Sequence, residues 1–503
     1  MKPGAAPAAI FWSAAEAAGA AGLAFVSAFV IARAVGPAAL GIGTAAVSVH
    51  VLLWVGVNAL FADAIVQRAA LTDDDAAEAF WASVGVGVLA AGAMAAAGWP
   101  LAAAFGDPRL RTMALILALP LPLVGAGGAV QGRLTRARHY RLLAFRVLLG
   151  QGFGTIVGCA AAFTRAGAWA VVAQQATGAA AGAAVLLIGA RWLPAPRWPG
   201  AATRGLLAVG TPLAASTLVL HGRYRAFLLL LGGAAGPRIL GEVHMAFRLV
   251  DALRELASTA LWRWLLPRFS ELQHDAAGLR AAMARAGRHA GWALFPLCAG
   301  LALALGPATR LLLGSEWAGA ATAALPLVGL AAWQFLAFPV GAATVARGAP
   351  GIALRANLAS LLLLTAAVLA LRPAGALRPG GALAAVGIWV AAQLLVAPYA
   401  LIASARVLGC GVAALLRPGL PAAAVAMAAW STAMAVSCRG GAAAQWAVRE
   451  LTMGAIFAAG AAVWHARPAW AGRPNGIAPI DPRPRPAIPA PSRARLTSPG
   501  RRF

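Results

Sequence analysis

The chain has 503 residues, of which 61% are hydrophobic and only 11% charged, and its mean hydropathy is +0.77. A soluble domain carries about 25% charged residues, so this composition excludes a soluble protein; apolar runs such as AAAVAMAAW at 422–430 do not alternate, which excludes a β-barrel. The formal net charge of +26 does not signal nucleic acid, because the basic residues scatter through short loops and form no basic domain or aromatic-interleaved groove.

A spanning helix needs about 20 mainly apolar residues, since the hydrocarbon core is about 30 Å thick and each residue rises about 1.5 Å. Fourteen stretches meet this requirement, near 9–32, 38–66, 79–104, 110–130, 143–163, 167–190, 205–231, 239–262, 290–313, 318–345, 351–371, 380–403, 411–435 and 446–465. The expected fold is an all-α polytopic membrane protein of about 14 transmembrane helices. With Met1 inside, the inward segments carry most of the 41 Lys and Arg. The heaviest is 131–146 with Arg133, Arg136, Arg138, Arg141 and Arg146. This inward bias places both termini on the cytoplasmic side. The first apolar stretch is too long for a cleavable signal and leads straight into further spans.

Between the first two stretches lies Gly36-Pro37-Ala38-Ala39-Leu40-Gly41, which returns between the seventh and eighth as Gly236-Pro237-Arg238-Ile239-Leu240-Gly241. LPLVG at 121–125 likewise reappears at 325–329. Six spans separate the copies, an even number, so the repeat is parallel. Four segments follow: an N-terminal six-helix lobe at 1–200, a second six-helix lobe at 201–404, two appended helices at 405–465, and a Pro- and Arg-rich tail at 466–503 without apolar periodicity. The tail suits a disordered segment able to touch anionic lipid. The two lobes would enclose a central cavity. The basic stretch 263–289 reads as an amphipathic helix on the cytoplasmic surface, linking spans 8 and 9.

Charges inside spans are costly and usually face a cavity or a partner. In span 1 the candidate is Glu16, for ion coupling or for a bond across the bundle. Thr72-Asp73-Asp74-Asp75 reads as a helix cap rather than a metal–diphosphate site. Span 7 carries His221, Arg223 and Arg225. Span 8 carries His244, Arg248, Asp251 and Glu255 on one face, opposite Val243, Phe247, Val250 and Leu253. Arg223 and Arg225 lie about 10–12 Å below the outward turn and Arg248 about 14 Å below it, so three guanidiniums are expected at one level. Arg suits phosphate because its planar fork bonds two oxygens and stays charged. His221, Arg223, Arg225, His244 and Arg248 are therefore the candidate substrate-binding residues, and Glu16, Asp251 and Glu255 the candidates for gating or ion coupling. Two other readings stay open: a self-neutralising structural network, and an amphipathic span 8 lying in the membrane interface. Cys159, Cys298, Cys410 and Cys438 show no metal spacing, and no nucleotide, hydrolase or metal motif occurs, so neither metal nor cofactor is expected.

Several fragments carry a family likeness: IARAVGPAALGIGTAAVSV at 31–49, AIVQR at 64–68 with FW at 80–81, GAWAVVAQQ at 167–175, RWLPAPR at 191–197, GPRILGEVHMAFRLVD at 236–251 and GSEW at 314–317. In their order they resemble the Wzx-type polysaccharide-export flippases of the multidrug/oligosaccharidyl-lipid/polysaccharide superfamily. The resemblance implies two six-helix lobes in a V and a non-enzymatic flippase of the bacterial inner membrane. Such a protein moves a polyprenyl-diphosphate-linked oligosaccharide by alternating access for O-antigen, capsule or exopolysaccharide export. Its implied partners are that substrate, membrane lipid and a polysaccharide polymerase or assembly machinery. Tyr224 stands where similar proteins often carry an acid, and Glu242-Val243 replace a usual aromatic. The rivals are a multidrug or organic-cation antiporter of the same fold and a membrane glycosyltransferase or polymerase.

Overall fold

The computed structural model describes residues 5–68, 70–371, 381–436 and 442–466, without the side chains of 5–10, 220, 221, 442, 443, 465 and 466. The tail beyond 466 and Cys438 lie outside the described residues. Fifteen α-helices follow one another among those described. They are α1 (Ala5–Gln67), α2 (Asp73–Phe105), α3 (Arg109–Ala118), α4 (Leu121–Arg136), α5 (Tyr140–Phe163), α6 (Trp169–Ala190), α7 (Ala201–Ala235), α8 (Pro237–Glu271), α9 (Ala276–Leu312), α10 (Ala318–Ala346), α11 (Gly351–Leu371), α12 (Gly381–Leu408), α13 (Val412–Leu416), α14 (Leu420–Ala435) and α15 (Ala442–Ala466). The chain is a multi-pass α-helical membrane protein.

Ten of these segments are long and apolar enough to cross a bilayer, or eleven if the two halves of α7, bent by 50°, count as one span. The expected fourteen is therefore not established. The difference has three sources. The 63 residues of α1 are two helices joined across a kink at Gly36, which count once although they hold two expected spans. α8 carries too many charges, and α14 has only 16 residues. The expected surface helix at 263–289 is corrected as well: its two ends extend α8 to Glu271 and begin α9 at Ala276. The Asp275 carboxylate accepts from the amides of Ala277 and Gly278 and caps α9 at that point.

The two lobes repeat each other in packing as well as in sequence. In the first, α4 packs on α1, α2 and α6, and α5 packs on α6 and α1; in the second, α10 packs on α8, α9 and α12, and α11 packs on α12 and α7. Reading 1–2, 3, 4, 5, 6 against 7–8, 9, 10, 11, 12 of the expected spans, every one of these contacts has its counterpart. Each lobe has its own core, Met94, Met113 and Leu117 in the first and Phe227, Phe335 and Trp389 in the second. Helices α14 and α15 pack on each other and on α9, outside both lobes.

The repeated turn shows why its glycines are needed. Gly36 has φ 74 and ψ 169, and Gly236 has φ 97 and ψ 169, a conformation open essentially to glycine alone. The proline that follows starts the next helix at N1, where its missing N–H costs nothing. Both segments then cross at Gly41 and Gly241. A methyl group at Gly41 would overlap the Pro237 carbonyl oxygen, and one at Gly241 would overlap that of Pro37. Each added carbon would lie 3.1 Å from the other glycine's amide nitrogen. Small residues permit such approach where apolar burial gives no net drive in lipid.

Helix α7 is shared between the lobes. Glu78 of α2 accepts from the amides of Gly200 (3.0 Å) and Thr203 (3.4 Å) and so caps its start, and Arg68 donates to the Ala202 carbonyl at 3.3 Å. Gly210 is pressed on the Leu60 backbone of α1, whereas Phe227, Leu228 and Leu231 are buried in the core of the second lobe. Gly241→Ala is expected to lower stability by about 1–3 kcal/mol, because neither backbone at the crossing can yield. Gly22→Ala, which meets open space, should be neutral or slightly stabilising. Thermal unfolding of the two purified variants in detergent checks this, and a Gly241→Ala protein as stable as Gly22→Ala would refute a tight crossing.

Candidate functional site

The polar face of α8 owes its position to the apolar face behind it. Val243, Phe247 and Val250 are buried among Phe227 and Trp389 in the core of the second lobe. Helical periodicity then turns His244, Arg248, Asp251 and Glu255 away from that core. The direction is fixed by Arg248, whose Nη2 donates to the Ala24 carbonyl of α1 at 3.4 Å, so this face looks toward the first lobe. Ala24 lies twelve residues before Gly36 and Arg248 twelve after Gly236. The two positions are therefore equally far in sequence from the two turn glycines, on opposite sides of them. α8 runs through the packed interior, with α1 on one side and α10 and α12 on the other, rather than lying alone on a surface.

Arg248, Arg225, His244 and Asp251 are brought together here. The Tyr224 hydroxyl and His244 Nδ1 are hydrogen-bonded at 2.9 Å, and the Arg225 guanidinium carbon stands 5.5 Å from the Tyr224 ring centre. Arg225 and Arg248 lie within electrostatic reach of one another, of His244 and of Asp251. Asp251 pairs with Arg254 at 2.6 Å rather than with Arg248. Arg248 Nε is buried and has no hydrogen-bond partner among the described residues. Glu255 is exposed. Three arginines (225, 248, 254) thus face two carboxylates (251, 255), an excess of one positive charge; among the described residues only Arg254 pairs with an acid, and of the other two Arg248 also keeps a buried donor unbonded.

Arg223 does not join them. Two residues apart on a helix is about 200° of rotation, so Arg223 and Arg225 leave α7 in nearly opposite directions. Arg223 Nη1 donates to Asn357 Oδ1 at 3.0 Å, and its guanidinium lies 4.9 Å from the Trp389 ring centre. The His221 side chain lies outside the described residues. Glu16 is also elsewhere: it sits eight residues before Ala24, about 12 Å along α1, within reach of Arg146 on α5. Arg146 itself donates to Gln131 Oε1 of α4. That trio was hidden because Arg146 falls in the run of basic residues counted as an inward loop.

Three further ties at the crossing had no sequence signal beyond the repeated turn. Arg33 Nη1 donates to the carbonyls of Leu311 and Leu312, each at 3.0 Å, where the dipole of α9 ends negative. The Glu316 carboxylate lies beside Gly36, and Arg238 pairs with Glu242 at 3.2 Å next to Gly319. At the other end of the bundle, Thr72 and Asp75 form a capping box at the start of α2. The same run is paired through Asp73 to Arg133, Asp74 to Arg197 and Asp75 to Arg68. Among the described residues no group of three or more His, Cys, Asp or Glu could hold a metal ion.

Residues 30–322, more than half of the chain, match the family described as "Polysaccharide biosynthesis protein". The chain belongs to this polysaccharide biosynthesis protein family. The match begins just before the first GPxxLG turn and runs past Trp317, so it includes both turns and the whole α7–α8 site of this family member. The chain is 24% identical over 324 residues to the succinoglycan biosynthesis transport protein ExoT of Rhizobium meliloti (strain 1021), covering 64% of this chain and 64% of that protein. It therefore spans a little under two thirds of that relative's length. In fold it is similar to the lipid II flippase MurJ in an inward closed conformation, with a TM-score of 0.72, 11% identity, and coverage of 91% of this chain and 99% of MurJ. It is also similar to a multidrug resistance MATE family transporter of the MOP superfamily in an inward-facing conformation, with a TM-score of 0.53 and 14% identity over 76% of this chain and 94% of that one.

Asp251→Asn removes one of the two acids and raises the positive excess of the α7–α8 cluster from one to two. The purified variant is expected to bind inorganic diphosphate a few-fold more tightly than wild type by isothermal titration. Weaker binding would mean that Asp251 orients the cluster rather than opposing the anion.

Proposed function

We propose that this family member is a non-enzymatic flippase that carries a polyprenyl-diphosphate-linked oligosaccharide across the bacterial inner membrane by alternating access, for export of O-antigen, capsule or exopolysaccharide. Arg248 carries the reading. Its guanidinium faces the other lobe, has no acid partner, and keeps a buried donor unbonded. A diphosphate supplies the missing acceptors and charge, and the planar fork of Arg matches two phosphate oxygens. Arg225 extends the same positive surface, and Asp251 holds Arg254 aside. His244, tied to Tyr224, shapes the wall. Glu16 is proposed for gating or ion coupling together with Arg146, at a separate level, and Glu255 for gating at the exposed end of the α8 stripe. Both termini are proposed to be cytoplasmic, and a polymerase or assembly complex to receive the product.

The fold is shared with a multidrug transporter, so the rival is an organic-cation antiporter. A cation carrier calls for an acidic excess between the lobes, and the α7–α8 cluster has a basic one. Arg248→Ala is expected to insert normally and to weaken binding of a polyprenyl-diphosphate lipid in nanodiscs by about tenfold or more, since hydrogen bonds to charged groups contribute about 1.5–3 kcal/mol. In a deletion strain, mass spectrometry of extracted lipids should find completed lipid-linked oligosaccharide trapped on the inner face. Normal lipid intermediates with altered drug sensitivity would instead support the antiporter.

A further inference from the structure

Arg223 has the arginine's usual chemistry in an unusual setting. Its partners come from two other helices and are all neutral. Asn357 Oδ1 of α11 accepts from Nη1 at 3.0 Å. With its amide oxygen turned toward the guanidinium, Gln393 of α12 accepts from Nη1 at 3.0 Å and from Nη2 at 2.9 Å. Trp389, one helical turn away on α12, presents its ring face to the guanidinium carbon at 4.9 Å. The charged residue that acts on Arg223 most is another cation, Arg254. Two amide oxygens and one aromatic face make a receptor for a flat organic cation, because the oxygens take the N–H donors and the ring takes the face. Three of the five N–H donors of Arg223 are thereby taken up by neutral oxygens.

We propose that Arg223 is a built-in guanidinium that plugs a cation pocket formed by Asn357, Gln393 and Trp389, and that it is a positioning residue rather than a headgroup ligand. The location gives the plug its use. The first part of α7 is held by the opposite lobe through Glu78, Arg68 and the Gly210–Leu60 contact, and the part from Phe227 onward belongs to the core of its own lobe. Arg223 sits where that allegiance changes. By tying α7 to α11 and α12 it sets the point about which one lobe can turn against the other while α7 stays bound to both. A guanidinium does this where an ammonium cannot, since a point charge cannot reach both amides and the ring at once.

The pocket can be tested without any assay of transport, so its failure is separable from failure of the flippase reading. The full-length Arg223→Ala protein is purified in detergent, and its thermal unfolding is followed in millimolar guanidinium or methylguanidinium against sodium chloride of equal ionic strength. The expected result is a Tm several degrees below wild type, with at least half of the loss recovered by the guanidinium ions alone and no response in wild type. Inorganic diphosphate affinity, measured in parallel with the pocket refilled, should stay within about twofold of wild type, a difference of about 0.4 kcal/mol. Absence of a guanidinium-specific recovery overturns the proposal. So does a loss of diphosphate affinity that matches Arg248→Ala and persists with guanidinium present. Should Arg223→Ala fail to accumulate, Arg223→Lys answers the same question: it should be less stable than wild type yet keep diphosphate affinity, and a Lys variant as stable as wild type would refute the fit.

Discussion

The backbone crossing of Gly41 and Gly241 sets the geometry of everything between the lobes. Lipid gives two apolar surfaces no net incentive to meet, so lobe association rests on close packing and on polar contacts that only close packing permits. With no side chain at either glycine, α1 and α8 approach until each proline carbonyl touches the other's glycine. That approach brings Arg33 to the end of α9 and Glu316 to the start of the second half of α1. Away from the crossing, Arg248 of α8 reaches the Ala24 carbonyl in the first half of α1. Internal duplication explains the symmetry: one turn, copied, meets its own copy.

Helix α8 is the element that the membrane would otherwise reject. Its Arg, Asp and Glu are tolerable because its two faces are segregated: the apolar one packs into Phe227 and Trp389, and the charged one looks across to α1. The charges on that face do not cancel. Asp251 is committed to Arg254, which leaves Arg248 as a guanidinium with a single backbone acceptor. A purely self-neutralising network would have paired it. The same helices thus separate two uses of arginine, one open toward the other lobe at Arg248 and Arg225, and one closed inside the lobe at Arg223.

Much of this was legible from residues alone. The duplicated GPxxLG turn, the apolar stretches and the charged face at 244, 248, 251 and 255 are local or periodic signals, and local signals survive into the fold. The number of spans was less secure: length and apolar content do not show that the two stretches of α1 run on across Gly36, that α8 is heavily charged for a span, or that the stretch at 411–435 holds a helix of only 16 residues in α14. Placing Arg223 beside Arg225 treated depth as if it were direction; a shared level along a helix says nothing of azimuth. Asn357 and Gln393, the residues that claim Arg223, stand more than a hundred residues away and look like ordinary polar residues in apolar spans.

Composition, periodicity and the repeated turn by themselves determined that the chain is helical and membrane-embedded, that it is duplicated in parallel, and that its intramembrane charge is concentrated in the seventh and eighth spans. The first and last follow from transfer energies and helical pitch, which act residue by residue, and the duplication from a motif that recurs two hundred residues later. Which arginine faces the other lobe, which acid takes which base, and which lobe holds each half of α7 were decided only by the tertiary structure. Those choices depend on where the helices cross, and the crossing is fixed by backbone contact between segments two hundred residues apart.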